Sequence, residues 1–211
     1  MSDEPLPRDS LPFVQALGDG LATLPPFLAE HFVQHGGTRT YAGRMDRVWR
    51  APGLRGALAW PALWLAARLE TLFPETGRDV PFEIEHRVYV GADGRARMTW
   101  TRTFRLPRRT RRFDAVMVHD PHRGVIDDRL GTGRLETELH VGTDAGAVTM
   151  RSGRQWLHLG RLRIRLPGVL VGRARVREWQ VDDATIAIEV RVRNPVLGEV
   201  FGYAGWFRRK E

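Results

Sequence analysis

Residues 80–101 read VPFEIEHRVYVGADGRARMTWT, and their apolar period is two. Phe82, Ile84, His86, Val88 and Val90 alternate with Glu83, Glu85, Arg87 and Tyr89. That is the pattern of a strand with one face buried and the other in water. Gly91-Ala92-Asp93-Gly94 is a turn, and Ala96, Met98 and Trp100 resume the alternation on the way back, so the segment encodes an antiparallel hairpin. The same period runs on to the C-terminus. Further strands are predicted over 113–119, 125–130, 134–141, 147–151, 156–166, 173–181, 185–193 and 196–207, joined by turns rich in Gly, Pro and Asp. Within 156–166 the apolar register slips at Gly160, which predicts a bulge.

Upstream the period is helical. Phe13, Leu17, Leu21 and Leu24 form one stripe and Phe27, Leu28 and Phe32 a second, with Pro25-Pro26 breaking the run into two short helices. Residues 38–50 read as a strand interrupted by Gly43. Residues 54–73 carry the clearest helical pattern: Leu54, Leu58, Leu65, Leu69 and Leu72 share a face, with Trp60 and Trp64 beside it. Pro61 is expected to kink this helix or delay its start to about Trp60, and Pro74 to end it. The fold class expected is α+β: a strongly curved antiparallel β-sheet or barrel-like meander of about nine or ten strands, with N-terminal helices packed on or capping it. A meander of that length curls or closes because closure removes exposed edges. Lipocalin-like barrels and helix-grip folds are the nearest shapes, and a chain ending in a strand favours the former. Residues 1–211 are read as a single domain, with 1–10 as a disordered tail.

The formal charge is +8, yet only Lys210 of the 33 basic residues is a lysine. This skew reads as a coding bias toward arginine rather than selection for phosphate contacts. The densest basic stretch, Arg102 to Arg112, straddles Leu106-Pro107 and reads as a solvated turn, so no nucleic-acid partner is expected. With no cysteine there is no disulfide, thiolate metal site or cysteine nucleophile. The N-terminus is polar and acidic, unlike a leader, and the apolar run 56–67 is short of the roughly 20 residues a bilayer requires. A cytoplasmic protein is expected. Peripheral membrane contact through Trp60 and Trp64, flanked by Arg55 and Arg68, is not, because Pro61 spoils a long amphipathic face.

Catalytic signatures are sparse. His31 and His35 stand at i, i+4 without a HExxH pattern and read as a solvated helix end, so no metal ligand is assigned. His86, His140 and His158 are lone residues in strands, while Asp127, Asp128, Glu136 and Glu138 are placed to meet across neighbouring strands. There is no GxSxG elbow, GxGxxG loop or Walker loop, and hence no catalytic residue or cofactor to name. Seven tryptophans fill a barrel interior or line an apolar cavity.

Four groups of residues, taken together, are familiar. They are Phe73-Pro74 with Gly77 and Asp79-Val80-Pro81; Trp100-x-Arg102-x-Phe104 with Phe113; Leu166-Pro167 with Arg175 and Glu178-Trp179; and Pro195-x-x-Gly198 with Tyr203-x-Gly205-Trp206. The chain thereby resembles, over about 11–207, the bacterial domain-of-unknown-function family 4166. Its members stand alone or are fused behind a saccharopine-dehydrogenase-like NAD(P)-binding domain. The chain departs from the family pattern near 125–131, where it carries Asp127, Asp128 and Leu130-Gly131 in place of a glutamate followed by Phe-Gly. The resemblance implies a module that can accompany an NAD(P)-dependent oxidoreductase, and it supplies no catalytic residue.

The expectation is therefore a non-catalytic module that binds an apolar or amphipathic small molecule, with Trp100, Arg102, Trp156, Glu178 and Tyr203 as its ligand contacts. Two other readings stand beside it: an accessory domain docking on such an oxidoreductase, and an enzyme using strand-borne Arg, Glu or His. For Arg102 and Glu178 the structural alternative is an ion pair tying two strands together.

Overall fold

The computed structural model describes residues 6–210. Two short helices, α1 (Pro12–Leu17) and α2 (Pro26–Phe32), precede strand β1 (Gly37–Arg50), and a third, α3 (Gly53–Arg68), follows it. The rest is strand: β2 (Gly77–Val90), β3 (Ala96–Leu106), β4 (Arg109–Asp120), β5 (Val125–Leu130), β6 (Leu135–Asp144), β7 (Ala147–Leu159), β8 (Leu162–Arg165), β9 (Arg173–Asp182), β10 (Thr185–Asn194) and β11 (Gly198–Arg209). Every pairing is antiparallel, and each strand lies beside its sequence neighbours except that β9 skips β8 and pairs with β7. Two pairings complete the ring: β11 returns to β1, and β6 joins the two ends of the sheet through β7. The result is a closed, ten-stranded, up-and-down antiparallel barrel, with β8 an extra strand folded back on β7. Closure leaves only the short β8 with a free edge.

The period-two alternation turns one residue in two inward. Ile84 and His86 of β2, Trp100 and Phe104 of β3, Ile186 and Ile188 of β10, and Phe201, Tyr203 and Phe207 of β11 are all essentially buried. At the β1–β11 seam there is no room for side chains on the near face. A Cβ at Gly43 would run into the Trp206 carbonyl, and one at Gly205 into that of Arg44. The glycine that interrupts the strand pattern of β1 thus marks a close backbone approach, next to the register break between Arg44 and Arg47.

The barrel has two unlike ends. At one, α1 and α2 plug the opening: Phe13 packs on Phe32 at 4.9 Å and stacks on Trp100 at 5.2 Å, and the Leu28 amide donates to Gln180 Oε1 at 3.2 Å. The connections at this end are the β2–β3, β4–β5, β6–β7 and β9–β10 turns. At the other end α3 lies across the mouth, from the β10–β11 turn beside Arg55 to the β5–β6 turn, where the Thr132 amide donates to the Leu69 carbonyl at 3.1 Å.

Several local expectations are corrected. Pro61 neither delays nor breaks α3, which runs continuously from Gly53. The proline is on the exposed side, where water can take the carbonyl it leaves unpaired. The helix ends at Arg68 rather than Phe73; Glu70 turns into the left-handed region (φ 53°) and Phe73 goes to the core. The leucine face of α3 is not its packed face. Gly56, Ala59 and Leu63 are buried, while Leu54, Leu58 and Leu65 stand in solvent. Gly160 (φ 61°) is the tight turn of the β7–β8 hairpin, not a bulge. Of the tail expected over 1–10, residues 1–5 lie outside the described residues, and Arg8–Ser10 form a 3-10 turn.

Candidate functional site

Beneath α3 the barrel interior is not filled. A cavity of about 240 Å³ lies between α3 and the inner faces of β3 to β7 and β9 to β11. A single water needs roughly 10–15 Å³ on the same kind of measure, so this space is of ligand size rather than a packing fault. Its wall is largely aliphatic: Leu63 from α3, Met117, Leu139, Met150, Val176 and Val190 from the strands. Ala62 of α3 and Leu170 of the short turn Gly168–Leu170 also line it, and both are exposed. The mouth of the cavity therefore opens between these two elements.

Besides Thr71, Thr137, Ser152, Gln155 and Asn194, three titratable side chains face this largely apolar space from three strands: Arg102 (β3), Asp128 (β5) and Tyr203 (β11). Arg102 is only 8% exposed. Its guanidinium carbon sits 5.0 Å from the ring centre of Trp100 and 4.7 Å from that of Phe113, so the planar cation is clamped by two aromatic rings. Its Nε is buried without a hydrogen-bond partner, and among the described residues no carboxylate pairs with it. Asp128 is equally buried and its Oδ1 is also unpartnered. Burial pushes its pKa up to about 7, against the opposing pull of Arg102. Burial likewise raises the Tyr203 phenol to about 12, so it stays a neutral donor. A cation, a carboxyl half-protonated near neutrality and a phenol thus face one cavity, with part of their hydrogen-bonding capacity unused.

Deeper, toward the plugged end, lies a second buried polar group. His31 of α2 reaches into the barrel with its Nε2 3.3 Å from Glu178 Oε2 of β9, both side chains fully buried. The approach is close but poorly aligned, since neither atom completes a hydrogen bond. His86 of β2 lies 4.5 Å from His31 and stacks on Trp100 at 4.7 Å. Burial, reinforced by His31 and Arg102, holds the His86 pKa well below the usual histidine range. His31 is therefore not the solvated helix end its spacing suggested: α2 packs inward, and the side chain is part of the plug.

Of the five residues singled out as ligand contacts, Trp100, Arg102 and Tyr203 come together at the cavity. Glu178 is inside the barrel but belongs to the His31 cluster, and it makes no ion pair with Arg102. Trp156 does not line the cavity. It pairs across the sheet with Glu136 and lies under the Arg163 guanidinium, 4.0 Å from its ring centre. That outer face carries three of the four carboxylates expected to meet across strands, Asp127, Glu136 and Glu138. Asp127 is opposite Glu138, and Arg123 bridges both at 2.6 and 2.8 Å. Glu136 is held by Arg163 and His158. These are saturated ion-pair networks rather than an acid–base pair. Asp128, grouped with those carboxylates and not with the ligand contacts, points inward instead, as the alternation Ile126, Asp128, Leu130 marks it. Among the described residues no three His, Asp or Glu side chains are grouped to hold a metal, and no helix is long and apolar enough to cross a membrane.

Fold and cavity together define a closed up-and-down β-barrel with a ligand-sized, mostly apolar interior and buried polar groups. By sequence the chain belongs to the family described as "Domain of unknown function (DUF4166)", whose model matches residues 24–207. It is 34% identical over 153 residues to the "Uncharacterized protein YndH" of Bacillus subtilis (strain 168), covering 71% of this chain and 74% of that protein. A crystal structure from Thermobifida fusca, assigned provisionally as a thioesterase II, aligns over 84% of this chain and 79% of its own. Its 12% identity and TM-score of 0.26 are too low to bear on fold or function.

Proposed function

We propose that this barrel is a binding module for an amphipathic small molecule with one acidic group, the apolar body in the cavity and the acid at Arg102 and Tyr203. The observation that carries this reading is the unpaired, aromatic-clamped Arg102 in a mostly apolar wall. A buried cation without a counter-charge is costly, and an anion delivered by a ligand removes that cost. When Asp128 is protonated it cannot supply the counter-charge itself, and it can donate a hydrogen bond instead. The absence of a nucleophile–base pairing among the cavity polar groups supports binding over chemistry.

The test is calorimetric titration with straight-chain fatty acids and with alcohols of the same lengths. The acids are expected to bind at least tenfold more tightly, and Arg102→Leu to abolish that preference while leaving alcohol affinity unchanged. Equal affinity for acid and alcohol, or no binding of either, would overturn the proposal.

A further inference from the structure

The mouth of the cavity is surrounded by an apolar surface that nothing among the described residues covers. Thirteen large apolar side chains stand exposed among the described residues. Eleven of them are at the α3 end: five on α3, three on the β7–β8 hairpin, two on the Gly168–Leu170 turn, and Val196 in the β10–β11 turn. Only Val90 and Val181 lie at the plugged end. Such clustering is not the scatter of single apolar residues normal on a monomer. On α3 the arrangement is extreme. The helix is apolar all round, and it turns alanines and Leu63 to the cavity while Leu54, Leu58 and Leu65 point away. A helix apolar on every side is normally buried on every side.

Charge is divided the same way. Each of the four turns at the plugged end carries aspartate, Asp93, Asp120, Asp144 and Asp182-Asp183, against Arg95 and Arg123 in the same turns. Helix α3 has no acidic residue and carries Arg55 and Arg68. The turns beside it contribute Arg108, Arg134 and Arg161, and β8 adds Arg163 and Arg165. Of these seven arginines only Arg163 forms an ion pair among the described residues. Arg68 lies over the Trp64 ring at 3.9 Å, its charge beside an exposed aromatic.

We infer that the α3 end docks on an anionic phospholipid surface, with α3 and the β7–β8 hairpin in the headgroup region and the cavity mouth facing the bilayer. Leucine, tryptophan and valine at the tips, with unpaired arginines around them, is the composition that interfacial binding selects. A protein partner would need acidic groups matching arginines spread over α3 and three separate turns, whereas a fluid anionic surface matches any arrangement. This inference goes beyond the ligand reading and holds for any cargo.

The experiment is vesicle co-sedimentation of the full chain, with phosphatidylcholine alone and with phosphatidylcholine mixed with phosphatidylglycerol. The protein is expected to pellet with the mixed vesicles and to be released by high salt. Leu58→Glu/Leu65→Glu changes only exposed positions and is expected to weaken partitioning at least tenfold with an unchanged melting temperature. Arg161→Ser/Arg165→Ser is expected to weaken it about fivefold per arginine. Val90→Glu, at the plugged end, is expected to leave it unchanged. Failure of the folded wild type to pellet with mixed vesicles would overturn the inference. So would equal losses for Val90→Glu and Leu58→Glu/Leu65→Glu. A dimer in sedimentation velocity that Leu58→Glu/Leu65→Glu dissociates would reassign this face to a second copy of the chain, and would overturn it equally.

Discussion

The two ends of this barrel are closed by helices of opposite design. At the plugged end, α1 and α2 are too short to be stable alone, and they are held by what they insert. Phe13 and Phe32 pack against Trp100, and His31 meets Glu178 in the interior. At the open end α3 is longer, presents only small residues and Leu63 to the barrel, and leaves its bulk outside. The first arrangement fills space and the second preserves it. A barrel of ten strands is too wide for its own wall to fill, so each end's contents depend on what the capping helix delivers.

The sharpest way to break this contrast is at the plug. Phe13→Ala should cost about 3–5 kcal/mol, because the ring is fully buried and stacked on Trp100 and the space it leaves cannot collapse against a closed sheet. Chemical denaturation measures it, and a loss near that of an exposed site would make the plug ornamental. His31→Leu should be nearly as severe, about 3 kcal/mol, since it strands the Glu178 carboxyl in the interior. His31→Leu/Glu178→Leu should recover most of that loss. A double variant no better than the single one would mean that the cost of His31→Leu does not come from the stranded carboxyl.

At the open end the effects are expected to depend on pH. Asp128 has a folded-state pKa raised from its ordinary value near 3.8 to about 7. The folded protein therefore binds a proton more tightly at this site than the unfolded chain does. That contribution is complete below about pH 4, is lost as pH rises to about 7, and is flat above it. The difference in unfolding free energy between wild type and Asp128→Asn should shift over that window by up to roughly 4 kcal/mol, wild type losing ground as pH rises. Parallel pH profiles would show that Asp128 titrates normally. Ligand affinity sharpens the same point. An acid bound at Arg102 competes with ionised Asp128, so its Kd should rise by as much as tenfold per pH unit above about 7, and Asp128→Asn should remove the slope. The smallest effect expected is that of Leu58→Ala on α3, within about 0.5 kcal/mol, since the side chain is 60% exposed. A loss above 2 kcal/mol would mean that the leucine face has a partner within the folded chain.

Much of this was legible beforehand, and the limits have physical causes. The strands from Val80 onward could be read because one face is buried and one wet, which writes a period of two into the residues. Trp100, Arg102 and Tyr203 were found through their motifs, and the alternation places them inward. Glu178 was singled out through its motif and Trp156 only as one of seven tryptophans, yet one belongs to the plug and the other lies on the outer face. A bulge in β7 between Ser152 and Gln155, opposite Thr137 and Leu139, separates the face of Trp156 from that of Met150; Gly153 marks the place, but an in-strand glycine does not say which face the chain resumes on. The leucine stripe of α3 misled for a different reason. Amphipathic periodicity identifies an apolar face but does not say whether this chain or something else covers it.

Local physics was enough for the α+β class, the meander, the turns and the inward set of side chains, because each rests on interactions between residues near in sequence. Closure of the sheet between β6 and β7 and between β11 and β1, the empty volume under α3, and the solitude of Arg102 are different in kind. They depend on where strands far apart in the chain come to rest, and an unpaired charge or an unfilled space is defined by every neighbour at once.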